Sequence, residues 1–185
     1  MARTGTGNYS SPLTTSRTLL LEDGSDNKFR LMVDNLVAFA AQLQQFRQAI
    51  ARRMGLSPPQ YNILMILAHN GGTDTPIGYV AKRLRVSVPF VVKETQRLHK
   101  MGFLEKQVDK KDRRRLTLIL TLSGRRAVEK IAPFQRDVND ALFATLDRNG
   151  FNNLIRLTNG LLGSCHDART RISVPPMRSG KQARG

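Results

Sequence analysis

Apolar residues recur at Phe29, Met32, Val33, Leu36, Phe39, Ala40, Leu43, Phe46, Ile50 and Met54, steps of mostly three and four that trace one face of an α-helix. Ser25 or Asp26 stands before the stripe as a cap, and Gly55 closes it, since glycine enters the left-handed conformation at a helix end without steric cost. At about 1.5 Å per residue this helix is roughly 40 Å long, more than a small domain needs, so a second chain is expected to pack along it. SPPQ at 57–60 reads as a capping box: Ser57 caps, Pro58 takes the first helical position and Gln60 reaches back to the cap amide. A second helix should follow to about Asn70. GGTDTP then breaks the pattern, and Thr75 with Pro76 is expected to open a third helix through Leu84, buried on Val80, Ala81 and Leu84. A fourth begins at Ser87, tolerates Pro89 in its first turn and ends at Met101 before Gly102. Only Arg85 to Ser87 separate these two helices, which is helix-turn-helix spacing.

Beyond Gly102 the period changes to two. FLEKQV reads as a strand, DKKDRR as a turn and RLTLILT as a returning strand with Leu116, Leu118 and Leu120 on one face. Two further helices are expected, over about 122–147 with a kink at Pro133, and over about 148–166 with a stripe of Phe151, Leu154, Ile155, Leu161, Leu162 and Cys165. The organisation that follows is a flexible arm over 1–24, a long helix over 25–56, a helix-turn-helix with its hairpin over 57–122, two C-terminal helices over 123–166 and a basic disordered tail over 167–185. No internal repeat interrupts it.

Charge turns this layout into a prediction about partners. The formal net charge of the 185 residues is +16. Residues 76–126 hold fourteen Lys or Arg against four Asp or Glu, 168–185 hold five and no acid, and the remainder is nearly neutral. So uneven a distribution points to a polyanion, and nucleic acid is the commonest one for a soluble basic domain. A membrane partner is not expected: the first residues carry only three consecutive apolar side chains, Leu19 to Leu21, and no stretch reaches spanning length. A cytoplasmic location is expected, and the single Cys165 leaves no intrachain disulfide to form.

A helix-turn-helix followed by a hairpin is a winged helix, and here the residues resemble a known family over roughly 29–165. Asp112, Arg114, Leu118, Leu120, Thr121 and Gly124 fill the D-x-R, aliphatic, L-T-x-x-G wing signature of the MarR (multiple antibiotic resistance regulator) family. LSPPQYNILMILA is similar to that family's second helix, and RLHKMGFLEK to the end of its recognition helix. The resemblance implies a mainly α fold with a small β-hairpin wing, a winged helix-turn-helix carried on long dimerisation helices. It implies a bacterial, ligand-responsive transcriptional regulator, most often a repressor, that binds a pseudo-palindromic operator as a homodimer and is not an enzyme. On that reading Ser87, Val88, Pro89, Phe90 and Lys93 of the fourth helix face base edges in the major groove. Arg97 and Lys100 are better placed for phosphate, and Arg113, Arg114 and Arg115 of the wing suit the narrow minor groove. The family's wing Asp braces its Arg, so Asp112 is assigned to orient Arg114. Phe90 is equally compatible with a place in the core.

Two residues depart from a generic helix-turn-helix. Arg85 stands where glycine is common in the turn, so either the turn stays right-handed or Arg85 takes a less favoured conformation. Glu94 stands where an apolar residue is usual, and a pairing with Arg97 or Lys82 is expected. The family's effector, commonly an aromatic carboxylate, a phenol or a thioester, is bound between the dimer helices and the winged domain. Phe46, Arg47, Tyr61, Met65 and His69 could supply an apolar wall with polar groups there, or could simply belong to a dimer core with Arg47 on the surface. His69, His99 and His166 are scattered and predict no metal site. No nucleophile with a base and an orienting group, and no phosphate-binding loop, argues for catalysis or for a cofactor. Cys165, on an apolar stripe, is expected to be buried and inert. The rival readings are an architectural or nucleoid protein that binds DNA by charge without an effector, and a redox regulator acting through Cys165.

Overall fold

The computed structural model describes residues 11–108 and 116–173, and the chain divides into two compact units, 1–136 and 137–185. Helix α1 spans Asn27–Arg53. Asp26 precedes it but does not cap it. Its carboxylate, in a residue only 2% exposed, instead accepts bonds from the amide and the hydroxyl of Thr14, both at 2.6 Å, and from Arg30 Nε at 2.9 Å. Arg30 Nη2 donates in turn to the carbonyl of Pro12 at 2.7 Å. Residues 11–24, expected to form part of a flexible arm, are therefore strapped to the start of α1, with a 3₁₀ turn at Thr18–Leu20 and a bridge between Glu22 and Ser25. Residues 1–10 of that arm lie outside the described residues.

The Thr14 hydroxyl, then its amide, hold the Asp26 carboxyl at about 2, below its ordinary 3.8. A depressed carboxyl stabilises the strap fully above its unfolded value and loses that contribution as pH falls through the folded one. Amide-exchange protection of residues 14–22 is therefore expected to hold at neutral pH and to fade as pH drops from 3.8 towards about 2, and Asp26→Ala should remove it at neutral pH. Protection that ignores both changes would mean the carboxylate does not hold the strap.

Helix α2, Pro58–His69, opens with the expected capping box: Ser57 Oγ accepts from the Gln60 amide at 3.4 Å, and Gln60 Oε1 accepts from the Ser57 amide at 3.1 Å. It buries Tyr61, Ile63, Leu64, Met65 and Leu67 and touches α1, the later helices of the domain and its sheet. A helix apolar on most sides belongs at the centre of a core. Strand β1 is Thr75–Pro76, and helix α3 runs from Ile77 to Leu84 with Pro76 at its N-cap position, so Thr75 and Pro76 pair into a sheet as the chain leads into the helix. A residue before proline avoids the helical region, and the Thr75 hydroxyl is held from both sides, accepting from Asn70 Nδ2 at 2.8 Å and donating to the Thr73 carbonyl at 2.9 Å. Pro76 lies on an edge strand, where its missing amide costs nothing.

Helix α4 is Val88–Lys100, strand β2 Leu104–Val108 and strand β3 Leu116–Leu120. The sheet order is β1-β3-β2, all antiparallel, with Thr75 opposite Leu118 on one side of β3 and Lys106 opposite Leu118 on the other. Because β3 is central, Thr117 is buried along with Leu118 and Leu120, while Leu116 is only half-buried. The simple in-and-out alternation expected of a two-stranded hairpin is lost to the third strand. Leu84 is likewise half-buried, leaving Ile77, Val80 and Ala81 as the buried face of α3.

Helix α5 spans Leu122–Leu142 with Pro133 inside it, ending before the expected 147. The Arg53 guanidinium lies over the ring of Phe134, 3.7 Å from its centroid. Helix α6 is Arg148–Ser173, with Asp147 Oδ1 accepting from the Gly150 amide at its start. It runs past the expected end at 166, so residues 167–173 are helical rather than tail, and 174–185 lie outside the described residues. Its apolar stripe is exposed, and Cys165 is half-buried rather than buried, its thiol directed to the Leu161 carbonyl. Among the described residues no helix is long and apolar enough to cross a membrane.

Candidate nucleic-acid interface

The joint between α3 and α4 settles the first departure. Arg85 adopts φ 58° and ψ 41°, the left-handed conformation, which costs a non-glycine residue about 1–2 kcal/mol. Its amide donates to Lys82 and that of Val86 to Ala81, closing α3. Ser87 then caps α4, accepting from the Phe90 amide at 3.3 Å, with Pro89 in the first turn where it displaces no bond.

Val91, Thr95 and Leu98 form the buried face of α4. A period of 3.6 residues therefore turns Pro89, Lys93, Gln96, Arg97 and Lys100 outward, and all five are exposed, as are Ser87 and Val88. Phe90 is half-buried at the edge of this row. Gln96 was not singled out from sequence, although its spacing of three from Lys93 and four from Lys100 places it on their side of the helix. The row thus presents three cations, an amide and an apolar lip.

Both flanks of α4 are tied down. Towards the sheet, Lys106 Nζ on β2 donates to the Val92 carbonyl at 3.3 Å, and partial burial pushes its ammonium below the usual lysine range. His99 Nδ1 lies 3.1 Å from the Leu104 carbonyl; a carbonyl only accepts, so this nitrogen carries the proton. Towards α2, the expected pairing of Glu94 with Arg97 or Lys82 does not form. Glu94 Oε2 instead accepts from Gln60 Nε2 at 3.0 Å and from Ser57 Oγ at 3.4 Å, while Arg97 Nη2 donates to the Gly55 carbonyl at 3.4 Å. The start of α2 carries the positive end of a helix dipole and so favours a carboxylate there.

The wing is positioned from its base. Val108 pairs with Leu116 as the last pair of β2 and β3, so residues 109–115 connect the strands. The wing residues Asp112, Arg113, Arg114 and Arg115 fall in that connection, outside the described residues. The rest of the signature has a visible reason. Thr121 Oγ1 donates to the Gly102 carbonyl at 2.5 Å and accepts from the Gly124 amide at 3.0 Å, and the Thr121 amide donates to the Phe103 carbonyl. Thr121 thereby joins the end of β3, the start of α5 and the loop that leaves α4. Gly124 packs directly on the Phe103 carbonyl group, where a Cβ has no room.

A cleft of about 500 Å³ lies on the other side of α2. Arg47, Met65 and His69, three of the residues expected to bind an effector, line it. Phe46 and Tyr61 do not: Phe46 is half-buried, and Tyr61 is 2% exposed, with its phenol pushed up by burial against the opposing effect of the Arg47 charge. Arg47 is held by two bonds to Asn62 Oδ1, at 3.2 and 2.7 Å, with its guanidinium 5.9 Å from the Tyr61 ring centroid. Tyr79, Arg83 and Leu84 of α3 complete the lining. Sequence reasoning missed them because α3 read only as a packing helix. Two arginines beside Met65, Ile66 and Leu84 suit an anion with an apolar body.

Comparison with known proteins agrees with this geometry. A family model described as the MarR family matches residues 54–115, from just beyond α1 to the residue before β3. The structure resembles a MarR family transcriptional regulator from Streptomyces coelicolor in complex with DNA, with a TM-score of 0.68 and 19% identity over 75% of this chain and 90% of that one. It also resembles AbsC, a MarR family transcriptional regulator from the same organism, with a TM-score of 0.66 and 18% identity over 80% and 97% of the two chains. A mutant MarR from E. coli complexed with operator DNA matches with a TM-score of 0.62 and 16% identity, over 74% and 96%. At these identities the likeness to solved structures establishes the fold. No curated protein sequence matches this chain.

Proposed function

From a winged helix-turn-helix segment that matches the MarR family, we propose that this chain is a DNA-binding transcriptional regulator, acting as a homodimeric repressor on a pseudo-palindromic operator. The observation that carries the reading is the outward row of α4, with Lys93, Arg97 and Lys100 exposed around Pro89 and Gln96, beside a strand pair that leads into the cationic loop 109–115. Lys93 is assigned to guanine, Gln96 to adenine, and Val88 or Pro89 to a thymine methyl. Arg97 and Lys100 are assigned to phosphate, and Arg113 to Arg115 to the adjacent minor groove, with Asp112 bracing Arg114. Two copies related by a two-fold axis would present their α4 helices about one DNA turn apart.

Selection of binding sites from random duplexes, followed by a footprint, tests this. The expected product is a palindrome with half-sites one turn apart, and protection without sequence preference would favour the architectural reading. Arg114→Ala should weaken binding to the selected duplex by about 1–3 kcal/mol while leaving the fold unchanged, because the wing contributes contacts rather than packing. Unaltered affinity at two salt concentrations would remove Arg114 from the interface.

The cleft beside Arg47 and Arg83 supports an effector of the class the family implies, an aromatic carboxylate, phenol or thioester. Such a ligand lowers DNA affinity only through a preference for the DNA-incompetent state, and tenfold release requires about 1.4 kcal/mol of it. Calorimetric titration of aromatic acids and their thioesters, with and without the selected duplex, should give a dissociation constant that rises when DNA is present. Binding indifferent to DNA, or none, would exclude this effector class.

A further inference from the structure

We propose that Glu94 is a positioning residue for base recognition, fixing the rotation of α4 about its own axis by locking it to the N-terminal cap of α2. The inference rests on the regulator reading and adds a residue that lies in the recognition helix yet turns away from DNA. Glu94 is half-buried, on the flank of α4 between the buried row of Val91 and Leu98 and the outward row of Lys93 and Arg97. A carboxylate free at such an edge could swing towards phosphate and repel it. Here Oε2 is occupied by Gln60 Nε2 at 3.0 Å and Ser57 Oγ at 3.4 Å. Gln60 is itself fixed, because its Oε1 accepts from the Ser57 amide. Both ends of one side-chain amide are therefore used, one to cap α2 and one to hold α4. Arg97, one turn further along the same flank, reaches the Gly55 carbonyl.

Opposite this flank, Lys106 and His99 join α4 to β2. The helix is thus gripped on two sides, with the base-facing row between them left free. Apolar burial of Val91 and Leu98 holds α4 against the domain, but apolar contact is non-directional and tolerates small rotations that hydrogen bonds from a capped helix end resist. Base readout by paired hydrogen bonds has the same directional demand, whereas attraction to phosphate does not. Loss of the Glu94 tie should therefore reduce discrimination between duplexes more than it reduces overall attraction to DNA.

The test compares the wild-type chain with Glu94→Ala and Glu94→Gln, each measured against the duplex recovered by selection and against a scrambled duplex of equal length at one salt concentration. Glutamine retains an oxygen that accepts from Gln60 and Ser57. Glu94→Ala is expected to lower the ratio of selected to scrambled affinity about tenfold, with scrambled-duplex affinity within about threefold of wild type, and Glu94→Gln to restore the ratio. If Glu94→Ala melts below the assay temperature, Glu94→Met, which keeps volume and helix propensity, takes its place with the same expected outcome. A ratio within threefold of wild type in the variant lacking the tie, or a Glu94→Gln variant as impaired as Glu94→Ala, would overturn the positioning role. A wild-type chain that prefers no duplex would instead refute the regulator reading itself, and this inference with it.

Discussion

Gly124→Ala is expected to destabilise the winged domain by about 3 kcal/mol, at the upper end of what overpacking costs. A Cβ on Gly124 would overlap the carbonyl oxygen of Phe103, lie 2.9 Å from its carbon and press on Leu120 Cδ2 at 3.1 Å. The obstacle is backbone, so no side chain can rotate away. Relief requires the start of α5 to lift, and that breaks the bonds Thr121 makes to Gly102 and Gly124. For a chain of this size the loss corresponds to a fall in Tm of about 6–12 °C. Gly78→Ala is the control: it lies in α3 with nothing within 4 Å of an added Cβ, and alanine favours the helix by roughly 0.5–1 kcal/mol. Equal melting temperatures for the two variants would show that the close approach to Phe103 does not constrain residue 124.

On the proposed homodimer, Leu36→Asp is expected to convert a dimer to a monomer and to weaken binding to the selected duplex by about 10²–10⁴-fold, the advantage of engaging two linked half-sites. Leu36 is 43% exposed within one chain, in a row with Met32 at 43%, Val33 at 37% and Val37 at 65%. An isolated surface leucine needs no explanation, but a contiguous apolar row along a long helix marks an association surface. Aspartate at its centre would have to leave water whenever a second copy covered the row, and an unpaired buried carboxylate is too costly to keep. Sedimentation should read a change in mass with helical content unchanged. A monomeric wild-type chain, or a dimeric variant with full affinity, would remove this face from the assembly.

How far the sequence foretold these sites depended on how far apart their partners lie. The capping box was legible because Ser57 and Gln60 are three residues apart on one turn. The left-handed conformation of Arg85 is not fixed locally, since the spacing demands a tight turn but no neighbouring residue says how Arg85 makes it. Glu94 stood out only as an acid in an apolar position. Its partners lie 34 and 37 residues away, so no local pattern could name them, and the nearby cations Arg97 and Lys82 were the natural but wrong expectation. The residues expected to bind an effector divide in the same way. Arg47, Met65 and His69 face the cleft, whereas Tyr61 is in the core, because α2 is buried around most of its circumference and its sequence does not say which apolar side chain faces which neighbour.

The sequence by itself determined the helices, the helix-turn-helix spacing, the hairpin, the concentration of positive charge and the MarR resemblance. The elements arise from steric and hydrophobic preferences that act over one or two turns or one strand pair and repeat with the period of the element, while the charge and the resemblance lie in the residue identities themselves. Only the tertiary structure decided that Thr75 and Pro76 add a third strand, that Thr14 straps the chain to Asp26, that α4 is held to the cap of α2 through Glu94, and that Tyr79 and Arg83 meet Arg47 across a cleft. Each of these needs polar or backbone groups brought together from separate elements. A hydrogen bond is satisfied by whichever complementary group the folded core delivers within about 3 Å, and packing in three dimensions selects that group.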